Sequence, residues 1–193
     1  MMSHKARVEV LPSLGKVGQA LCGDLVRSAR EDIASKGSFF CAVPGGSVLK
    51  LLGALKDTEG ASAVDWRAVH LFYVNHKCVH GEDPSSTHLK AKKLFLGHFE
   101  GIRAHPIIFS EAAAIGHDTV AHDYSKEIER TLPLGVFDYM LLGVGKDGHI
   151  GALSFFMHTP LPPHTTNPDP HDYRPTQEAS IRIARSSQRQ AAR

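Results

Sequence analysis

The sequence predicts an α/β fold with an open, mainly parallel sheet flanked by helices. Three observations carry this. Short, nearly continuous apolar runs at Ser38–Val43, Val69–Val74 and Val136–Leu142 read as strands covered on both faces. Each run is followed by a polar loop, and amphipathic helical patterns lie between the runs. Strands that alternate with helices imply parallel pairing and right-handed crossovers, which carry all the strand C-terminal ends to one edge of the sheet. At 193 residues the chain suits one such domain with a sizeable core.

The elements follow in order. Residues 7–11 (R-V-E-V-L) alternate as an edge strand does. Ser13 is placed to cap a helix whose apolar positions Leu14, Val17, Leu21, Leu25 and Ile33 recur at helical spacing, and Gly37 ends it. The first buried strand, Ser38–Val43, runs through P-G-G-S into the helix V-L-K-L-L-G-A-L-K, with Ser47 as a candidate cap. The second, Val69–Val74, leads through N-H-K-C-V-H-G-E-D-P-S-S into the helix T-H-L-K-A-K-K-L-F-L-G-H-F. Pro106–Phe109 then reads as a strand, and Glu111–Thr131 as a helix weakened at Gly116. Val136–Leu142 closes the series and delivers the chain to G-V-G-K-D-G-H-I-G-A-L-S-F-F. These boundaries give an α/β domain over 1–156 and a separate tail over 157–193. The tail holds six of the eleven prolines and then becomes polar and Arg-rich, so it is expected to be mostly irregular.

Composition narrows the function classes. A formal charge of +2 gives no electrostatic reason to expect nucleic acid or an anionic membrane as partner. Thirteen histidines are scattered without zinc-ligand spacing, so no metal is expected. Cys22, Cys41 and Cys78 are odd in number and far apart, which argues against a disulfide framework and for a reducing compartment. The N-terminal residues lack a signal-peptide core, and no run approaches the ~20 apolar residues of a membrane span. A cytoplasmic protein is expected, and a plastid form without its transit peptide would read identically.

In open α/β sheets ligands bind outside the strand C-terminal ends, so three loops converge on one candidate site. Gly45 and Gly46 permit close backbone approach and positive φ, and with Ser47 they can cradle a phosphate; a plain strand-to-helix turn would look the same. Asn75, His76 and Lys77 follow the next strand, with Lys77 as a point charge for an anion. Gly143, Gly145 and Gly148 leave room against the backbone, and Asp147 and His149 alternate around Gly148 so that both can aim at one spot. A histidine near its ordinary pKa of ~6.5 can take a proton from water and hand it on, with Asp147 as orienting partner. The stretch is no dinucleotide fingerprint, because it lies late in the chain and no acidic residue ends a following strand. G-G-S lacks the G-K-[ST] ending of a Walker loop, and there is no G-x-S-x-G elbow.

The ordered segments F-C-A-V-P-G-G-S-V-L-K-L-L, V-H-L-F-Y-V-N-H-K-C-V with D-P-S-S-T-H-L-K-A-K-K-L-F-L, and F-D-Y-M-L-L-G-V-G-K-D-G-H resemble 6-phosphogluconolactonases and, more remotely, glucosamine-6-phosphate deaminases. The resemblance runs from about residue 13 to residue 153. It implies a sheet of the sugar-phosphate isomerase type and hydrolysis of 6-phosphogluconolactone to 6-phosphogluconate, in the oxidative pentose phosphate pathway, without metal or organic cofactor. By the same resemblance His149 is the general base, Asp147 positions it or the substrate hydroxyls, and Gly45, Gly46, Ser47 and Lys77 hold the phosphate. Asn75, Gly145 and Gly148 complete the expected substrate contacts. The partner expected is a small sugar phosphate rather than nucleic acid or membrane.

Two alternatives stay open: a non-catalytic sugar-phosphate-binding paralogue, and a deaminase or isomerase. The deaminases usually follow G-H with Asn-Glu-Pro, whereas I-G-A-L-S-F-F is closer to the lactonase pattern. Two departures stand out. The lactonase pattern at the second loop is commonly Asp-Glu-Arg, replaced here by Asn75-His76-Lys77. The family also continues well beyond D-G-H, whereas the composition of this tail suits neither a strand nor an amphipathic helix. The sheet is therefore expected to be incomplete at the C-terminus, as in a truncated, alternatively spliced or frame-shifted product. An edge left open would favour self-association.

Overall fold

The computed structural model describes residues 8–107, 117–145, 149–150 and 180–185. Helix α1 (Leu14–Lys36) starts where Ser13, in extended conformation, accepts the Lys16 N–H on its hydroxyl at 3.3 Å. It stops at Gly37, whose φ of 79° is left-handed and whose N–H returns to the Ile33 carbonyl. Then come β1 (Phe39–Val43), α2 (Gly46–Leu51) with a 3-10 continuation over Leu52–Asp57, β2 (Val69–Tyr73), α3 (Thr87–Leu94), β3 (Arg103–Ala104), α4 (His117–Thr131), β4 (Tyr139–Val144) and β5 (Ser180–Arg185).

The sheet order is β3-β2-β1-β4-β5. Its first four strands are parallel, and β5 runs antiparallel to β4 from Tyr139↔Arg185 to Val144↔Ser180. Every residue of β1 is buried, because both faces of this central strand are covered. On one face Phe39, Cys41, Val43, Leu71, Tyr139 and Leu141 pack with Leu21, Cys22 and Leu25 of α1, Val48 and Leu49 of α2 and Ala91 of α3. On the other, Phe40, Ala42 and Phe72 meet Leu132 and the half-buried Tyr124 and Ile128 of α4. The three strand-helix repeats of the sequence are thus a doubly covered parallel sheet, as expected.

Several boundaries differ from expectation. Residues 8–10 form no strand, and Val8 and Val10 are 81% and 88% exposed. The alternation is real, but no described element covers that face, and an unpaired alternating segment gains nothing from extension. The strand expected at Pro106–Phe109 lies earlier, at Arg103–Ala104: the His105 N–H makes the last ladder bond, to the Leu71 carbonyl at 2.8 Å, and Pro106 has no N–H to continue it. Ile108, Phe109 and the helix start at Glu111–Gly116 lie outside the described residues. Helix α3 ends at Leu94 and gives way to a 3-10 turn over Leu96–His98.

Strand β4 starts later than the apolar run. Asp138 joins it to β1, since its carboxylate accepts the Phe40 N–H at 2.8 Å and its own N–H donates to the Phe40 carbonyl at 2.9 Å. Lys36 at the end of α1 pairs with the same carboxylate. Within the tail, Ser180–Arg185 is a strand along the edge of β4, a local element that the expectation of a mostly irregular segment did not include. The strand's first four residues, S-I-R-I, alternate with period two, a local signal that the Arg-rich average of the segment conceals. The other tail residues lie outside the described ones.

Candidate active site

From β1 the chain moves through β2 to β3 on one side, and then β4 returns to the opposite side of β1. The order therefore reverses between β1 and β4, and a crevice forms outside their C-terminal ends, the place where open α/β sheets bind ligands. The loop after β1 is Pro44-Gly45-Gly46-Ser47, the loop after β4 begins with Gly145, and the loop after β2 lies one strand away. All three expected loops start at this edge.

The first two loops are tied directly. The Asn75 side-chain oxygen accepts the Gly45 N–H at 2.7 Å. A methyl group on Gly45 would lie 3.5 Å from the buried Thr87 side chain and 3.7 Å from the Asn75 oxygen, so the turn packs against the start of α3. Gly46 has φ of 71°, which requires glycine. Helix α2 starts at Gly46 with Gly45 as its cap residue, so Ser47 sits inside the first turn and is not the cap. Among the described residues no side chain caps that turn, and Gly46 and Ser47 are exposed. The Gly45 amide is committed to Asn75. Among the described residues of this turn, Gly46 and Ser47 are the ones exposed beside it.

In the second loop Lys77 is exposed. Its carbonyl organises the loop, receiving the Val79 N–H at 2.9 Å and lying 2.8 Å from His76 Nδ1. A carbonyl only accepts, so Nδ1 carries the proton and Nε2 of neutral His76 holds the lone pair. That Nε2 is buried without a hydrogen-bond partner among the described residues. Burial lowers the His76 pKa, against a smaller upward pull from the Lys77 carbonyl. The His76 ring meets the Tyr73 ring edge-on at 5.0 Å, and the Tyr73 hydroxyl lies 2.6 Å from His88 Nδ1. Burial pushes the Tyr73 hydroxyl up, and burial together with Lys92 and His76 pulls His88 down, so this cluster is neutral near pH 7. Sequence reading missed Tyr73, His88 and Thr87. The available signal was position: one ends a strand and two open a helix beside the loop.

The third loop reverses tightly. The Gly145 N–H donates to the His149 carbonyl at 2.9 Å, and Val144 bridges Ile150 in antiparallel fashion. His149 is half-buried at this reversal. Gly143 brings β4 close to α2, where an added methyl would lie 3.4 Å from Val48. Asp147 and Gly148 lie outside the described residues. Among the described residues no cluster of histidine, cysteine and carboxylates could hold a metal ion. Two open depressions of about 680 and 730 Å³ lie between α1 and the Asp57–Asp65 segment, with mixed charges and no residue from the three loops.

Comparison with known proteins gives consistent results. A profile of the family described as glucosamine-6-phosphate isomerases/6-phosphogluconolactonase matches residues 12–182. The 6-phosphogluconolactonase of Haemophilus influenzae is 30% identical over 129 residues, covering 66% of this chain and 51% of that one. Probable 6-phosphogluconolactonase 3, chloroplastic, of Oryza sativa subsp. indica is 27% identical over 146 residues, covering 71% and 45%. The chain spans about half the length of these relatives. Among solved structures, 6-phosphogluconolactonase from Trypanosoma brucei superimposes with a TM-score of 0.66 at 21% identity over 95% of this chain and 77% of that one. A monomeric glucosamine-6-phosphate deaminase gives 0.59 at 17% identity over 72% and 55%. At such identities the structural likeness establishes the fold.

Proposed function

Since the chain belongs to the glucosamine-6-phosphate isomerase/6-phosphogluconolactonase family, we propose that it hydrolyses 6-phosphogluconolactone to 6-phosphogluconate, a step of the oxidative pentose phosphate pathway. The observation that supports this reading is that the three loops start at the same edge of the sheet, the first two tied by the bond from the Gly45 N–H to Asn75. The Haemophilus and rice relatives, both named as lactonases, support it.

In this reading the phosphate sits against the Gly46 and Ser47 amides and the Ser47 hydroxyl, and Lys77 supplies charge. His149 takes a proton from water as its oxygen attacks the lactone carbonyl carbon. The tetrahedral oxyanion collapses, the bond to the ring oxygen breaks, and that oxygen takes the proton from His149. The new carboxylic acid then releases its proton to solvent. Asp147 orients His149, while Gly145 and Gly148 leave room for the sugar. No cofactor enters the sequence, and the compartment is the cytoplasm or a plastid.

The test is hydrolysis of freshly generated lactone above the spontaneous rate. Activity lost in His149→Ala supports the proposal. Equal rates for wild type, variant and buffer would sink it. Thermal stabilisation by 6-phosphogluconate without turnover would instead identify a non-catalytic binder, a reading that the replacement of Asp-Glu-Arg by Asn75-His76-Lys77 supports.

A further inference from the structure

On the sheet face opposite the three-helix layer, four charged or titratable side chains from three elements form one chain. Arg103 of β3 reaches His70 of β2, with its guanidinium 3.5 Å from Nε2. His70 Nδ1 lies 3.1 Å from His105 Nε2, and His105 Nδ1 lies 2.8 Å from a Glu127 carboxylate oxygen on α4. Glu127 is also held by Arg130 at 2.7 Å and by the Thr131 hydroxyl at 3.3 Å. The rings are fixed by stacking: Phe40 on His70 at 4.7 Å, His70 on His105 at 5.3 Å and Phe72 on His105 at 4.3 Å.

The proton positions follow from the two ends. An ionised carboxylate only accepts and a guanidinium only donates. Glu127 therefore requires a proton on His105 Nδ1, and Arg103 requires a lone pair on His70 Nε2. With both imidazoles neutral, His105 Nε2 accepts and His70 Nδ1 donates, so every contact pairs a donor with an acceptor. One added proton breaks the match. Placed on His105, it turns Nε2 into a donor, and His70 can accept it only by shifting its own proton to Nε2, against Arg103. Placed on His70, it again sets an N–H against Arg103. Burial first, then His105 and Arg103, lower the His70 pKa, as this geometry demands.

We propose that the Arg103-His70-His105-Glu127 chain is a pH-sensitive latch that holds the two-residue edge strand β3 and helix α4 on the sheet at neutral pH and releases them in mildly acidic solution. Among the described residues the charged and titratable groups facing the imidazoles are Arg103 from β3 and Glu127 from α4, with Arg130 and Tyr124 beside Glu127; β1 presents Phe40. Strand β3 has only two ladder residues, so it depends on such side-chain support. The latch is separate from the three strand-end loops, and its test does not require the protein to be a lactonase.

The experiment has two readouts on the full chain. Histidine ring 15N spectra at pH 7.5 are expected to place the proton of both His70 and His105 on Nδ1; an Nε2–H form of either would overturn the latch. Melting temperatures of wild type and His70→Phe are then compared between pH 7.5 and 5.5. Phenylalanine keeps the stack on Phe40 but cannot titrate. Wild type is expected to lose about 2 °C or more beyond the loss in the variant. Equal losses would overturn the proposal, and the ring spectra decide it if the variant does not fold.

Discussion

Asn75 carries more of the candidate site than its small size suggests, because its oxygen fixes the turn that is proposed to receive phosphate. In Asn75→Ala the Gly45 N–H loses its partner, a change worth about 1 kcal/mol. Affinity for 6-phosphogluconate should fall roughly fivefold, measured by titration. Asn75→Asp keeps an acceptor and should hold the turn, so a loss equal to that of alanine would remove Asn75 from the positioning role. Gly46 is the second sensitive residue. With φ of 71°, Gly46→Ala forces a side chain into the left-handed region at about 1–2 kcal/mol, and a melting temperature a few degrees lower is expected. That glycine was needed here could be read from P-G-G-S. That Asn75 would hold Gly45 could not, since the contact joins residues thirty apart through the pairing of β1 with β2.

Helix α4 shows how one element reaches the site without contributing a ligand contact. The hydroxyl of Tyr124 receives the Tyr73 N–H at 2.8 Å and donates to the Tyr73 carbonyl at 3.3 Å, two residues before Asn75. Burial pushes this phenol up to about 12, so it keeps its proton and both bonds at working pH. Tyr124→Phe strands a buried N–H and should cost about 1–3 kcal/mol in denaturant unfolding. A change within 0.3 kcal/mol would mean that water replaces the hydroxyl. The strand-helix alternation was legible because apolar period and loop chemistry agree over most of the chain. The misplaced ends have local causes: Pro106 has no N–H, Asp138 takes over the first bond to β1, and Val8 and Val10 meet no covering element. Strand β5 was hidden because only its first four residues, S-I-R-I, alternate within a long polar and Arg-rich segment.

At the scale of the whole molecule, the shifted groups among the described residues define a pH window. His70, His76 and His88 have lowered pKa values, so the native state binds fewer protons than the unfolded chain as pH falls below ~6.5. Their stabilising share is complete above that value and is lost as pH falls through the folded pKa values. Glu127, held down chiefly by its bond to Arg130, adds a loss in the same direction at lower pH. At the alkaline end burial pushes Cys22 up to about 11 and Cys41 to about 12. Unfolded thiols ionise from ~8.5, so stability falls again as pH rises beyond it. Thermal melts are expected to show a plateau between about pH 7 and 8.5, with a fall on both sides; a melting temperature that climbs steadily toward pH 5 would contradict these assignments.

The same buried thiols make the protein a recorder of its own openings. Cys22 and Cys41 lie in the core under α1, while Cys78 is half-exposed in the loop after Lys77. A thiol reagent should modify Cys78 within the mixing time and the other two only when the sheet parts from α1. Their labelling rate divided by the intrinsic rate of a free thiol gives the fraction of time the core stands open. Three cysteines that form no cross-link thus provide an opening frequency for the native state, readable by mass spectrometry without any introduced probe.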